Sequence, residues 1–176
     1  MKKVLFLLGV LEHQDIEWML DEGELKTLNK GEVLIQQGQN ITHLFLALSG
    51  SFRIVGTNEV EIAQVGSGEI LGELSFIDSR VPSATVIAKE SSEVLQIAKS
   101  VVKEKLEEDA RFAARFYYSI ASLLSHRLRK RENDSSNYDQ DELDENIMDY
   151  IHKAGSSFSR ILQEIRNRKF SFSVNT

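Results

Sequence analysis

Residues 68–86 read Gly-Glu-Ile-Leu-Gly-Glu-Leu-Ser-Phe-Ile-Asp-Ser-Arg-Val-Pro-Ser-Ala-Thr-Val, and they break a texture that is strand-like on both sides. Leu71, Leu74 and Ile77 recur at helical spacing, which predicts a short helix between Leu71 and Asp78. Around it, from Leu25 to Ala98, short β-branched and aromatic runs are separated by Gly31, Gly38, Gly50, Gly56, Gly66, Gly68 and Gly72, residues that supply the positive φ of tight turns. The runs are Glu32 to Gln36, His43 to Leu48, Ser51 to Val55, Glu59 to Val65, Ser83 to Ala88 and Glu93 to Ala98, with Thr57-Asn58 as a hairpin tip. Short strands at near-regular spacing predict an antiparallel barrel or roll. A helix inserted into such a roll needs a reason.

The flanks are helical. Val4 to Leu20 carries apolar residues at helical spacing, Leu8, Leu11, Ile16, Met19 and Leu20 among them, with Gly23 as a stop, so one or two short helices are expected there. Val101 to Glu108 and a long segment from Asp109 to about Glu132 form a second helical block. On the long segment Phe112, Phe116, Tyr117, Ile120, Leu123, Leu124 and Leu128 cover about 160°, wider than the stripe of a helix packed on one side. Two readings fit: the helix lies in a deep groove of its own domain, or it pairs with a second copy. The second is the working expectation, with Phe116, Ile120 and Leu124 at the dimer contact.

Between Glu132 and Asp149 stand Asp134, Asp139, Asp141, Glu142, Asp144 and Glu145 with Ser135, Ser136 and Asn137, the composition of a solvated linker. The segment Ile147 to Phe170 returns to helical spacing through Tyr150, Ile151, Phe158, Ile161, Leu162 and Ile165. The expected division is therefore a domain at 1–132 (N-terminal helices 1–25, β-roll 26–98, C-terminal helices 99–132), an acidic linker at 133–146 and a helical tail at 147–176. The fold class is α+β: an antiparallel β-roll, of the double-stranded β-helix or jelly-roll kind, flanked by N-terminal helices and a long C-terminal helix.

A chain of 176 residues with 41% hydrophobic residues can build one sizeable core. Its formal net charge of −6 does not attract nucleic acid or an anionic membrane as a whole. No cysteine is present, so disulfides, thiolate nucleophiles and cysteine-rich zinc sites are excluded, and a cytoplasmic setting is expected. The start, Met1 to Leu11, imitates a secretory signal, but no Ala-x-Ala pattern follows and it passes into Glu12-His13-Gln14-Asp15; a packed helix is expected instead. In that setting the Asn40-Ile-Thr42 and Asn133-Asp-Ser135 sequons carry no chemistry.

Catalytic and metal signatures are missing. His13, His43, His126 and His152 are scattered singly, which favours surface roles over a metal site. There is no Gly-x-Ser-x-Gly turn and no Gly-Lys-Ser/Thr loop, and Gly66-Ser-Gly68-Glu-Ile-Leu-Gly72 has the wrong spacing for a dinucleotide fingerprint. No catalytic residue, metal or cofactor is expected.

The opening stretch resembles the phosphate-binding cassette of the cyclic-nucleotide-binding family, which includes the catabolite activator proteins, the regulatory subunits of cyclic-AMP-dependent kinase and the gated channels. Lys30-Gly-Glu-Val-Leu-Ile-Gln-Gln-Gly38 is similar to the family's early glycine turns, and Leu44-Phe-Leu-Ala-Leu-Ser-Gly-Ser-Phe-Arg-Ile-Val55 to its central strand pair. The likeness covers about residues 5 to 131. It implies a pocket built from Gly72, Glu73, Leu74, Arg80, Pro82, Ser83, Ala84 and Thr85, with cyclic AMP or cyclic GMP as the ligand class. Amides at the start of the short helix would face the phosphate, Gly72 would let the backbone approach, and Glu73 would accept from the ribose 2′-hydroxyl.

One position departs from the pattern. The family usually reads Pro-Arg-Ser/Ala-Ala-Thr at the end of the cassette, its arginine pairing with the phosphate, whereas this chain has Val81-Pro82-Ser83-Ala84-Thr85. Arg80 is either a substitute cation reaching back or a solvated loop residue. The resemblance therefore implies a non-catalytic sensor or scaffold domain with impaired nucleotide binding, acting as a homodimer and with an unidentified protein partner in view. The alternative is a transcriptional regulator of the catabolite-activator type. That family adds a winged helix-turn-helix of about 70 residues after its long helix, and here the acidic segment after Glu132 would repel phosphates. The basic cluster His126, Arg127, Arg129, Lys130 and Arg131 reads as a solvated helix end.

Overall fold

The computed structural model describes residues 6–133 and 145–173. Eight strands form two four-stranded antiparallel sheets: β1 (Glu24–Leu28), β2 (Val33–Ile35), β3 (His43–Ser49), β4 (Ser51–Val55), β5 (Glu61–Gly66), β6 (Ile70–Leu71), β7 (Thr85–Ala88) and β8 (Ser92–Ala98). One sheet has the order β1-β8-β3-β6 and the other β2-β7-β4-β5. The helices are α1 (Phe6–Val10), α2 (His13–Glu22), α3 (Glu73–Ile77), α4 (Lys99–Glu108), α5 (Ala110–Asn133) and α6 (Glu145–Ser173). The expected α+β roll is therefore the observed architecture.

Strand β3 shows why its sequence is apolar at every position from Leu44 to Leu48. Leu44, Leu46 and Leu48 face the helices, while Phe45 and Ala47 face the opposite sheet. Alternate side chains point to opposite faces of a strand, and both faces of β3 are covered. At its end Gly50 turns the chain into β4 with φ 79°, and a Cβ there would lie 2.1 Å from Ser92 Oγ.

The helical layer corrects one expectation. Phe116 is 5% and Ile120 2% exposed within a single chain, and half-buried Leu124 packs against the same cluster. These residues share a core with Leu8 of α1, Ile16 of α2 and Ala154 and Ile161 of α6, and α1 touches both α5 and α6. The chain's own N- and C-terminal helices thus take up the wide apolar arc that was expected to need a second copy. The large apolar side chains left exposed on α5 are Tyr117, Tyr118 and Leu128.

Two strands were not anticipated: β1, which adds to the edge of β8, and the two-residue β6, which pairs Ile70 and Leu71 with Leu46 and Phe45. Residues 1–5 and 134–144, the latter within the stretch expected as an acidic linker, lie outside the described residues. No described helix is long and apolar enough to cross a membrane.

Candidate functional site

Strand β6 ends at Leu71, and Gly72 then takes φ 88° as the cap of α3. A Cβ at this position would lie 2.8 Å from Ile41 Cδ1 and 3.3 Å from the carbonyl oxygen of His43. Both the left-handed backbone and the close approach require glycine. Helix α3 follows for five residues. Its buried residues are Glu73, Ser75 and Phe76, whereas Leu74 and Ile77 are 51% and 44% exposed. Of the expected stripe, Leu71 on β6 is buried but Leu74 and Ile77 are not on the inward face of α3; a carboxylate is turned inward in their place.

The segment after α3 is fixed from the other sheet. The carbonyl of Pro82 accepts from the amide of Gly38 at 2.9 Å. Thr85 Oγ1 accepts from the amide of Gln37 at 3.1 Å and from Gln36 Nε2 at 3.3 Å. The early glycine turn and the end of the cassette, far apart in the chain, therefore form one unit.

These elements enclose a cavity of about 700 Å³, a size that suits a small organic ligand. Gly72, Glu73, Leu74, Arg80, Pro82, Ser83 and Ala84 all line it. Thr85 stands outside the wall and supports the turn at Gln36 and Gln37. Much of the remaining lining is apolar, from Ile35, Ile54, Ile62, Val65, Val81 and Leu123.

The charged groups are distributed unevenly. Glu73, 4% exposed, is ion-paired to Arg127 Nη1 through Oε1. Arg127 Nη2 donates to the carbonyl of Ile70 at 3.2 Å and lies 3.7 Å from Glu69 Oε2. Arg127 itself lines the cavity, although it was expected to be part of a solvated helix end. It stands one turn beyond the buried Leu123 on the same side of α5. Arg80 is exposed, and its amide donates to Asp78 Oδ1 at 3.0 Å. A second tie joins cassette and long helix, because the Phe76 ring meets Phe116 edge-on with centroids 5.7 Å apart. Among the described residues no cluster of His, Cys, Asp or Glu could hold a metal ion.

A family model described as "Cyclic nucleotide-binding domain" matches residues 25–109, spanning the roll, the cassette and α4. These residues are a cyclic nucleotide-binding domain. The chain is 27% identical over 126 residues to the cyclic AMP receptor protein of Thermus thermophilus, covering 69% of this chain and 56% of that one. The curated relatives it matches are longer, and the chain spans between 8% and 56% of their lengths.

Solved structures carry the same fold. A cyclic nucleotide-binding domain from Methylobacillus flagellatus superposes with a TM-score of 0.68 at 18% identity, covering 79% of this chain and 85% of that one. The regulatory subunit of a cAMP-independent protein kinase A from Trypanosoma brucei superposes with a TM-score of 0.55 at 25% identity, covering 76% and 43%.

Proposed function

We propose that this cyclic nucleotide-binding domain is a non-catalytic regulatory module, a ligand sensor or scaffold, whose cavity binds cyclic AMP and cyclic GMP weakly or not at all. The observation that carries this reading is Pro82 in the cavity wall, where the family resemblance places the arginine that meets the phosphate. Proline has neither a charge nor a backbone N–H to offer an anion. Removing one partner of a buried charge pair costs about 3–5 kcal/mol, and about 1.4 kcal/mol is a factor of ten. A micromolar site becomes roughly millimolar on that scale.

The other cations of the cavity do not compensate. Arg127 is engaged with Glu73 and Ile70, and Arg80 sits on the exposed loop beside Asp78. The fold itself is compatible with independence from cyclic AMP, since the Trypanosoma brucei relative is described as part of a cAMP-independent kinase. Calorimetric titration with cyclic AMP and cyclic GMP tests the proposal: no saturation below about 1 mM is expected, and submicromolar binding overturns it and assigns the phosphate to Arg80.

We also propose a cytoplasmic setting, which the cysteine-free composition supports, and a homodimer. Since Phe116 and Ile120 are buried within the chain, a dimer contact on α5 falls to Tyr117, Tyr118 and Leu128.

A further inference from the structure

Glu73 is the buried carboxylate of the cassette and the group to which a ligand hydroxyl would donate, yet an arginine of the same chain already holds it. Arg127 does more than neutralise one charge. Through Nη1 it meets Glu73, the first residue of α3, and through Nη2 the carbonyl of Ile70 on β6. The guanidinium thus clasps the cassette on both sides of Gly72. Glu69 adds a second carboxylate at 3.7 Å. Arg127 approaches from α5 and forms part of the same cavity wall as Glu73, Arg80 and Pro82.

Charge-assisted bonds between guanidinium and carboxylate are stronger than a neutral hydroxyl donating to the same oxygen. A ligand hydroxyl therefore gains the Oε1 of Glu73 that Arg127 holds only by displacing a better partner, and its remaining contacts must make up the difference. We propose that Arg127 is an internal competitor for the cavity: a ligand that engages Glu73 through a hydroxyl group displaces the guanidinium and frees the last turns of α5 from the cassette. Occupancy of the cavity is then linked to the docking of α5, and by linkage anything that strengthens that docking weakens the ligand. The ligand class that can win carries a hydroxyl that donates to Glu73 together with a second anchor elsewhere in the cavity. This rests on the reading of the cavity as a nucleotide-type site.

The test is calorimetric titration of cyclic AMP into four full-length chains: the native one, P82R, R127M and P82R/R127M. Methionine keeps the length of the side chain without its charge. With the phosphate partner supplied by P82R, removing Arg127 is expected to tighten binding about tenfold or more. E69Q in the P82R background, which loosens the clasp while leaving Glu73 and Arg127 in place, is expected to give a smaller gain of the same sign and serves if R127M unfolds the chain. Equal or weaker binding by P82R/R127M than by P82R overturns the competitor and makes Arg127 an anion partner, while leaving the nucleotide-type site standing. Absence of binding by all variants at about 1 mM overturns that site, and the competitor with it. As a second readout, saturating P82R with cyclic AMP should speed amide exchange in α5 from residue 127 onward; unaltered exchange there contradicts the release.

Discussion

Arg127, near the end of α5, is ion-paired to Glu73, the first residue of α3, so the long helix and the cassette are joined at the cavity wall. A second tie, Phe76 against Phe116, lies along the same pair of elements. The cassette and α5 are thus in direct contact at two points, without any intervening loop.

The ion pair between Asp15 and Arg115 holds the other end of the helical layer. Arg115 Nε meets Asp15 Oδ2 at 2.7 Å and Nη2 meets Oδ1 at 2.8 Å, with Asp15 only 1% exposed. Asp15 Oδ2 also accepts from the amide of Glu12 at 2.8 Å at the start of α2. Asp15→Ala leaves a guanidinium that is 15% exposed with the more exposed Glu12 at 3.5 Å in place of its bidentate partner and removes a cap, so a loss of about 3 kcal/mol, the low end for breaking a buried pair, is expected. Urea unfolding should show a lower midpoint with an unchanged slope.

Asp109 stands immediately before α5 and accepts from the amides of Arg111 and Phe112 at 3.1 and 2.9 Å. The Phe112 amide, then Lys105, hold its carboxyl below the usual aspartate range. Its folded pKa lies below its unfolded one, so its stabilisation is present above the unfolded value and is lost as pH falls through the folded one. Asp109→Ala should lower the melting temperature at neutral pH, and the gap to the native protein should close on acidification below the usual aspartate range. A gap that stays constant with pH contradicts the role of the charge.

Ile120→Asp places a carboxylate in a core shared by α1, α2, α5 and α6. It is expected to unfold the chain, seen as loss of the cooperative thermal transition, because burying an unpaired charge costs several kcal/mol. It cannot serve as a probe of association. Leu128→Asp, at a side chain 60% exposed, should leave the melting temperature nearly unchanged and halve the mass seen in sedimentation if α5 pairs two copies; a native chain that sediments as a monomer at tens of micromolar removes the dimer.

The roll was legible because its strands are short, alternate in character and are bounded by glycines, and because the cassette motif carries a helix where the pattern forbids one. Strand β1 was less visible: its burial follows an irregular pattern with Leu28 as the one fully buried residue. Strand β6 was hidden because two residues carry no periodicity. The apolar arc of α5 was correctly seen as too wide for one contact, yet its width cannot say whether the second contact comes from another copy or from α1 and α6 of the same chain. Gly72, Glu73, Leu74, Arg80, Pro82, Ser83 and Ala84 line one cavity, and Thr85 lies outside its wall. Arg127 was missed because a basic helix end has a simple solvated explanation, and only tertiary structure brings it to a carboxylate 54 positions away.

The most direct measurement is the affinity of the native chain and of Pro82→Arg for cyclic AMP. The backbone carbonyl of Pro82 that accepts from Gly38 is kept by any residue, so the substitution adds a charge without removing that support. The native chain is expected to show no saturation below about 1 mM, and Pro82→Arg to bind about a hundredfold more tightly or better, equivalent to about 3 kcal/mol. Submicromolar binding by the native chain, abolished by Arg80→Ala, would contradict the claim that Pro82 has removed the cavity's phosphate partner.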